Sequence, residues 1–358
     1  MAVATINLTV NMTIMGDMNA SIAVNEWVLI VSTCVLLSFD TVISFYTALA
    51  LTQTRIDSAL SKILMYNHNV FNGTFCIVVS YLLVSLNFTF PYGAPSGDPF
   101  VCRVVQSGFL VDLSSTAVIC NVICQCADRF WASIYVKSYR SRTKLYIIAC
   151  YVFIPAYSIL VSGLRFFQTN MVNGLCAPLV ESTMKHVLAT MELILLYFLP
   201  VVIVIMMTIP VVWQLRQSII GIGRNNNNNT SSSSRSASQQ PNSIETALTN
   251  EDLKSAFMVA QRGVFLHALV VAIELTVLLF IIIILLALDK LQLIKYGAAS
   301  PIRTYYYCFI SLFSTFNSFV TILTVTALRR TVVRHWQNCK EKLVHSQTRC
   351  QCLHRESN

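Results

Sequence analysis

The run CADRFWASIYVKSY, residues 126–139, follows a long apolar stretch and sets an acid, a base and an aromatic side by side at Asp128, Arg129 and Phe130. A guanidinium in that position is either a charge snorkelling to water at a helix end or one half of a working ion pair. The choice turns on whether the stretch before it crosses a membrane.

The composition says that it does. Of 358 residues 55% are hydrophobic and only 11% are charged, whereas soluble domains carry about 25% charged residues. Crossing a ~30 Å hydrocarbon layer takes about 20 apolar residues, and such stretches recur near 27–52, 63–88, 104–131, 144–167, 186–213, 263–288 and 301–327. These predict an all-α membrane protein, a seven-transmembrane helix bundle over 27–327. The second stretch holds Asn67, His68, Asn69 and Asn72, which lipid tolerates only if they turn into the bundle.

Residues 1–26 contain no Lys or Arg and carry three N-glycosylation sequons, at Asn7, Asn11 and Asn19. They lack the basic stretch and short apolar core of a cleavable signal peptide, and read as a glycosylated extracellular tail. With seven spans, 19 of the 25 Lys and Arg fall on the inner side. Six fall outside: Arg103, Arg165, Lys185, Lys290, Lys295 and Arg303. This bias fits a multi-pass plasma-membrane protein with its C-terminus in the cytoplasm. The net charge of +9 then serves topology and contact with anionic membrane lipids, not nucleic acid. The same topology leaves Cys102 and Cys176 as the two outer thiols in an oxidising compartment, which predicts a disulfide between them.

The connection 214–262 contains RNNNNNTSSSSRSASQQPNS, a polar run that buries too little to offset its ordering entropy and reads as a disordered cytoplasmic loop. Helical periodicity resumes in SIETALTNEDLKSAF, with Ser243 as the expected cap. In the tail, 328–358, Leu328, Val332 and Trp336 recur every four residues among Arg and Lys. That pattern predicts an amphipathic eighth helix on the inner leaflet, and Cys339 is a candidate for palmitoylation.

Together these features resemble the rhodopsin-like (class A) G-protein-coupled receptors. In that family the third span ends in Asp/Glu-Arg-Tyr, with an Ala two residues and a Tyr nine residues beyond. Here Asp128, Arg129 and Phe130 are followed by Ala132 and Tyr139 at those spacings, Pro200 sits in the fifth span, and Asn317 in NSFVT stands where the family has Asn-Pro-x-x-Tyr. The resemblance implies that Asp128, Arg129, Phe130 and Asn317 form a switch. In it, Arg129 is held at rest and freed for a heterotrimeric G protein when span six swings outward, with arrestin as a further partner. The chain is a divergent member, and its poly-Asn loop resembles those of invertebrate orphan receptors. Span six has no proline, span four has Pro155 and no Trp, and span two has no Asp at the family's sodium site, with Asn69 and Asn72 the nearest polar residues.

Ligand contacts are sought among ionisable residues within the spans. Asp112 lies 17 residues before Arg129, about 25 Å up a helix. Glu192 precedes Pro200 by eight residues, Glu274 lies mid-way along span six, and Tyr305 and Tyr306 open span seven. Three carboxylates in a bundle favour a cationic ligand, an amine or a peptide; alternatively they pair with donors such as His267 and serve packing. Residues 301–327 contain no Lys, which argues against a retinal Schiff base. CNVICQC, within a span, behaves as small hydrophobes. The sequence points to no cofactor, metal or enzymatic nucleophile. Two rival readings stand beside the receptor: a seven-span transporter or channel using Glu274 and Asp40 as ion carriers, and a signalling-dead receptor relative.

Overall fold

The computed structural model describes residues 2–56, 58–85, 99–172, 175–178, 183–230, 250–294, 296 and 300–356. The helices are α1 (Ala2–Gln53), α2 (Ala59–Val84), α3 (Phe109–Ile134) and α4 (Val136–Ser162), then α5 in three pieces, α6 (Asn250–Lys290), α7 (Pro301–Thr324) and α8 (Thr326–Glu356). A π-helical turn, Cys102–Gln106, leads into α3, and a 3₁₀ turn, Gly163–Phe167, follows α4. The three pieces of α5 are Thr183–Glu192, a π-helical stretch Leu193–Phe198, and Leu199–Thr230. The π stretch ends just before Pro200, whose missing N–H removes one rung of the helical ladder. Between α4 and α5 lies a hairpin of β1 (Thr169–Val172) and β2 (Leu175–Pro178), antiparallel, with Met171 opposite Cys176.

Six helical stretches among the described residues are long and apolar enough to cross a membrane: Glu26–Gln53, Cys102–Ile134, Ser141–Phe167, Val187–Trp213, Gly263–Lys290 and Pro301–Thr324. Their outward faces stay apolar, with Val35, Phe39 and Val42 on α1, Ile148 and Val152 on α4, and Met206 and Ile209 on α5 all exposed. Exposed aliphatic faces of this extent belong in lipid.

α3 is the axis of the bundle. In its most apolar window 67% of the residues are buried, against 22–39% in the other five spans. It packs against α2, α4, α5 and α6, while α7 closes the ring against α1 and α6. Ile119, Val122, Ile123 and Cys126 of α3 meet Leu196 and Val204 of α5 and Val271, Leu275 and Leu279 of α6 in one cluster.

α2 matches the others in length but not in composition, and it buries Ser61, Asn67, His68, Asn69 and Asn72. Most of them form one inward face at helical spacing. Ser61 bonds Asp128 of α3 at 2.8 Å, His68 Nε2 pairs with Asn317 Nδ2 of α7 at 2.7 Å, and Asn72 Nδ2 donates to Ser44 Oγ of α1 at 2.9 Å. The carbonyl of Leu64 accepts from Asn121 at 2.9 Å and Gln125 at 3.3 Å. The polar residues of this stretch therefore mark a helix face turned into the bundle, with partners on three neighbours, while Tyr66, Ile77, Tyr81 and Val84 on its other side are exposed.

Two boundaries differ from the sequence expectation. The loop predicted from 214 does not start there: α5 continues to Thr230, carrying Asn225–Asn229 in helical conformation, and α6 begins at Asn250. Extending an established helix adds one hydrogen bond per residue, and Asn costs only about 0.7 kcal/mol relative to Ala, so the polar run prolongs the helix. Ser243, the expected cap, lies outside the described residues. The second difference is at residue 135, where Tyr135 alone (φ −112, ψ 49) separates α3 from α4. A break at Arg142 (φ −118, ψ 19) then divides α4 into a short first segment and its apolar length.

Candidate functional site

Two polar sites lie at opposite ends of α3. At the Arg129 end, Asp128 and Arg129 are both buried. Arg129 Nε donates to Asp128 Oδ2 at 3.0 Å, and its terminal nitrogen meets both Asp128 and Ser61 Oγ. Tyr139 reaches back across the break at Tyr135 and donates its hydroxyl to Asp128 Oδ1 at 2.5 Å. Ser58, the N-cap of α2, lies 2.9 Å from the Tyr139 hydroxyl and 2.8 Å from Ser61 Oγ. Each Asp128 oxygen is thus occupied, and the pair is fastened to the start of α2 and to α4. Burial, and then the adjacent Asp128 carboxylate, push the Tyr139 hydroxyl up to about 12, so it remains a donor throughout the physiological range. Phe130 takes no part in this network; its ring tilts against Tyr135 at 6.1 Å.

Beyond Arg129 the space walled by Thr208 and Val211 of α5 and by Phe265, Ala268 and Leu269 of α6 amounts to about 10 Å³, room for no more than about one water. α6 is pressed close here. A Cβ placed on Gly263 would lie 2.3 Å from the carbonyl oxygen of Thr324, at the end of α7. One turn further, His267 Nε2 bonds Thr321 Oγ1 at 2.7 Å.

At the Cys102 end a cavity of about 240 Å³ opens between α2, α3, α5, α6 and α7. Asp112, Glu192, Glu274 and Tyr306 all line it, as do Arg165, Arg303 and Tyr307. Tyr305 does not: it is 61% exposed, because one residue is a 100° turn of the helix, and Tyr306 and Tyr307 hold the inward phase. Tyr305 thus stands away from the cavity, which Tyr307 lines instead.

Arg165 organises the mouth. Its Nε meets Asp112 Oδ2 at 2.5 Å and its Nη2 meets Glu192 Oε1 at 2.6 Å, while Gln168 donates to Glu192 Oε2 at 2.7 Å. The two carboxylates expected to await a cation thus share a guanidinium that the sequence reading counted only as an outer basic residue. Arg303 bonds the Tyr307 hydroxyl at 2.9 Å and lies over its ring. The floor is polar: Ser314 lines it, and Glu274 Oε2, Asn317 Oδ1 and His68 Nδ1 are buried there without a hydrogen-bond partner among the described residues. Asn317 stands at this floor and not in the network of Asp128 and Arg129: its amide holds His68, which lines the same cavity. Asp40 is buried next to this floor, bonded to Ser44 at 3.2 Å and Cys76 at 3.1 Å.

Of the remaining sequence candidates, Cys102 is disulfide-bonded, whereas Cys34, Cys76, Cys120, Cys124, Cys126, Cys150, Cys308 and the exposed Cys339 are free thiols. Cys176 stands on β2, and its side chain lies outside the described residues, as do those of Asn7, Asn11 and Asn19. Ser58, Ser61, His68 and Arg303 are functional candidates that the sequence reading did not single out. Ser58 had one signal, its place two residues before an apolar-periodic run. A scan against protein-family models finds no match to the chain, and neither does a search of curated proteins.

Proposed function

We propose that the chain is a rhodopsin-like G-protein-coupled receptor: seven membrane-spanning helices, α2 joining the six long apolar stretches as the second span, an extracellular N-terminal tail, and α8 on the cytoplasmic leaflet. In this reading the cavity at the Cys102 end takes an extracellular ligand, a Cys102–Cys176 disulfide ties the β hairpin over its rim, and the Arg129 end faces a heterotrimeric G protein. The observation that carries the reading is the closed network of Asp128, Arg129, Ser61, Ser58 and Tyr139. A merely snorkelling Arg would point to water; this one is buried against its neighbour, with α6 packed over it, as a resting switch requires.

The mechanism needs a bistable element. In the resting state Asp128 holds Arg129, and Gly263 lets α6 lie against α7. Ligand in the cavity touches α6 through Glu274 and Leu275 and α7 through Tyr306 and Ser314. Any ligand that binds better when these helices separate shifts the equilibrium toward an open Arg129 end. α6 has no internal proline and runs unbroken from Asn250 to Lys290, so the movement is a swing of the whole helix about its contacts with α3 and α7, not a bend at a hinge.

The test is a second-messenger assay in cells co-expressing different G-protein subtypes, comparing wild type with Arg129→Ala at matched surface expression. Loss of basal and ligand-driven signalling in the variant supports the reading; equal signalling in both removes it. A transporter is the rival favoured by the unpartnered Glu274 carboxyl, and solute uptake that persists in Arg129→Ala but disappears in Glu274→Gln selects it.

A further inference from the structure

The charges at the cavity mouth form two poles. Arg165 serves both Asp112 and Glu192, and one guanidinium against two carboxylates leaves an excess of one negative charge. Arg303 carries a positive charge with no carboxylate within ion-pair distance among the described residues; its Nε is used on Tyr307. The poles are neighbours. The Asp112 amide donates to the Gly108 carbonyl at 3.0 Å, so Gly108 stands one turn from Asp112, about 5.4 Å along the axis. Arg303 Nη2 lies 3.7 Å from the point a Cβ on Gly108 would occupy. Gly108 is left-handed, with φ +82, a conformation that leaves this position to a residue without a side chain.

A cation alone would satisfy the first pole and add repulsion at the second; an anion alone would do the reverse. Below the poles the wall is aliphatic, with Val111, Ile119, Leu275, Leu279 and Ile310. We propose that this mouth recognises a zwitterion with an apolar body, such as an amino acid bearing a large aliphatic or aromatic side chain. Its ammonium meets the Asp112–Glu192 pair, its carboxylate meets Arg303, and its side chain descends along the aliphatic wall. The inference rests on the reading of the cavity as the ligand site, but does not need the G protein.

Binding is measured directly on the purified full chain in lipid nanodiscs, by thermal shift and by competition. Three matched sets are the probes: L-leucine, L-phenylalanine and L-tryptophan, each with its decarboxylated amine and its deaminated acid. The expected result is that at least one amino acid binds and both of its partners bind at least tenfold more weakly. Arg303→Gln should weaken the amino acid by about 10- to 100-fold, the worth of a charged hydrogen bond, and leave the amine unchanged. Arg303→Lys, which keeps the charge, should recover part of the loss, and an unaltered melting temperature without ligand shows that the variants fold. An amine equal to its parent amino acid, an acid equal to it, or no binding by any of the nine compounds overturns the proposal. An amino acid that binds without activating any G protein supports it and counts against the receptor reading. Activation by an amine alone does the opposite.

Discussion

Tyr139 donates its hydroxyl to Asp128 Oδ1 at 2.5 Å, and the two residues belong to different helices separated by the single non-helical residue Tyr135. That bond gives the nine-residue interval between Phe130 and Tyr139 a physical meaning: it is the length of chain needed to turn out of α3 and bring a phenol back to the last buried acid. Tyr139→Phe removes the donor while leaving the ring, which sits 6.1 Å from that of Tyr146. The variant should fold, lose about 1–2 kcal/mol of stability, and raise basal second-messenger output at equal surface expression. Asp128→Asn, which weakens the hold on Arg129 directly, should raise it further. If neither changes basal output, Asp128 does not restrain Arg129.

Ser58 is both the N-cap of α2 and a partner of Tyr139. Replacing it with Ala should cost about 1 kcal/mol for the cap. The double variant Ser58→Ala, Tyr139→Phe should cost less than the sum of the two singles, since they share a contact. Melting temperatures of the four proteins in detergent give the coupling, and strict additivity would separate the cap from the switch.

Arg165 lies between two carboxylates that are about nine-tenths buried, and is itself 27% exposed. Arg165→Met should therefore destabilise by about 3 kcal/mol, because it leaves two like charges facing each other out of water. Adding Asp112→Asn and Glu192→Gln to that variant should restore most of the loss. Thermal unfolding of the single and triple variants checks this. A triple variant no more stable than the single would mean that Arg165 acts through packing.

Much of the bundle was legible in the sequence because its drivers are local. Apolar length fixes the span-forming stretches. Other parts depend on where helices meet, which no local pattern encodes. Nothing in MYNHNVFN indicates that His68 faces Asn317, 249 residues away, although the cost of polar groups in lipid rightly sends them inward. Arg165 looked like one more outer basic residue because its two carboxylates lie 53 and 27 residues away along the chain. The poly-Asn run misled because composition argues for a loop, whereas a helix already formed through Trp213 and Arg216 continues through it to Thr230.

Cys102 is disulfide-bonded at the start of the π turn that leads into α3, and β1 packs against that turn. With Cys176 as its partner the bond closes a long loop, and removing such a bond costs about 2–5 kcal/mol. Cys102→Ser and Cys176→Ser should each lower surface expression, and the double variant should be no worse than either single. A Cys102→Ser effect absent from Cys176→Ser would assign the partner elsewhere.

Gly263 and Gly163 make a matched pair for testing the end of α6 that packs near Arg129. A methyl group on Gly263 would sit 2.3 Å from the Thr324 carbonyl oxygen, a backbone atom that cannot move without α7, whereas one on Gly163 meets nothing within 4 Å. Gly163→Ala should be neutral or stabilising by up to about 1 kcal/mol, since it only restricts the unfolded chain. Gly263→Ala should force α6 away from α7 and cost about 1–3 kcal/mol as overpacking. The same displacement widens the narrow space at Arg129 between Thr208 and Phe265. The variant should therefore show raised basal signalling together with a lowered melting temperature, and a spin-label pair on α3 and α6 should report a longer distance. A lowered melting temperature with unchanged signalling and distance would show that the close approach is packing alone, without control of the Arg129 end.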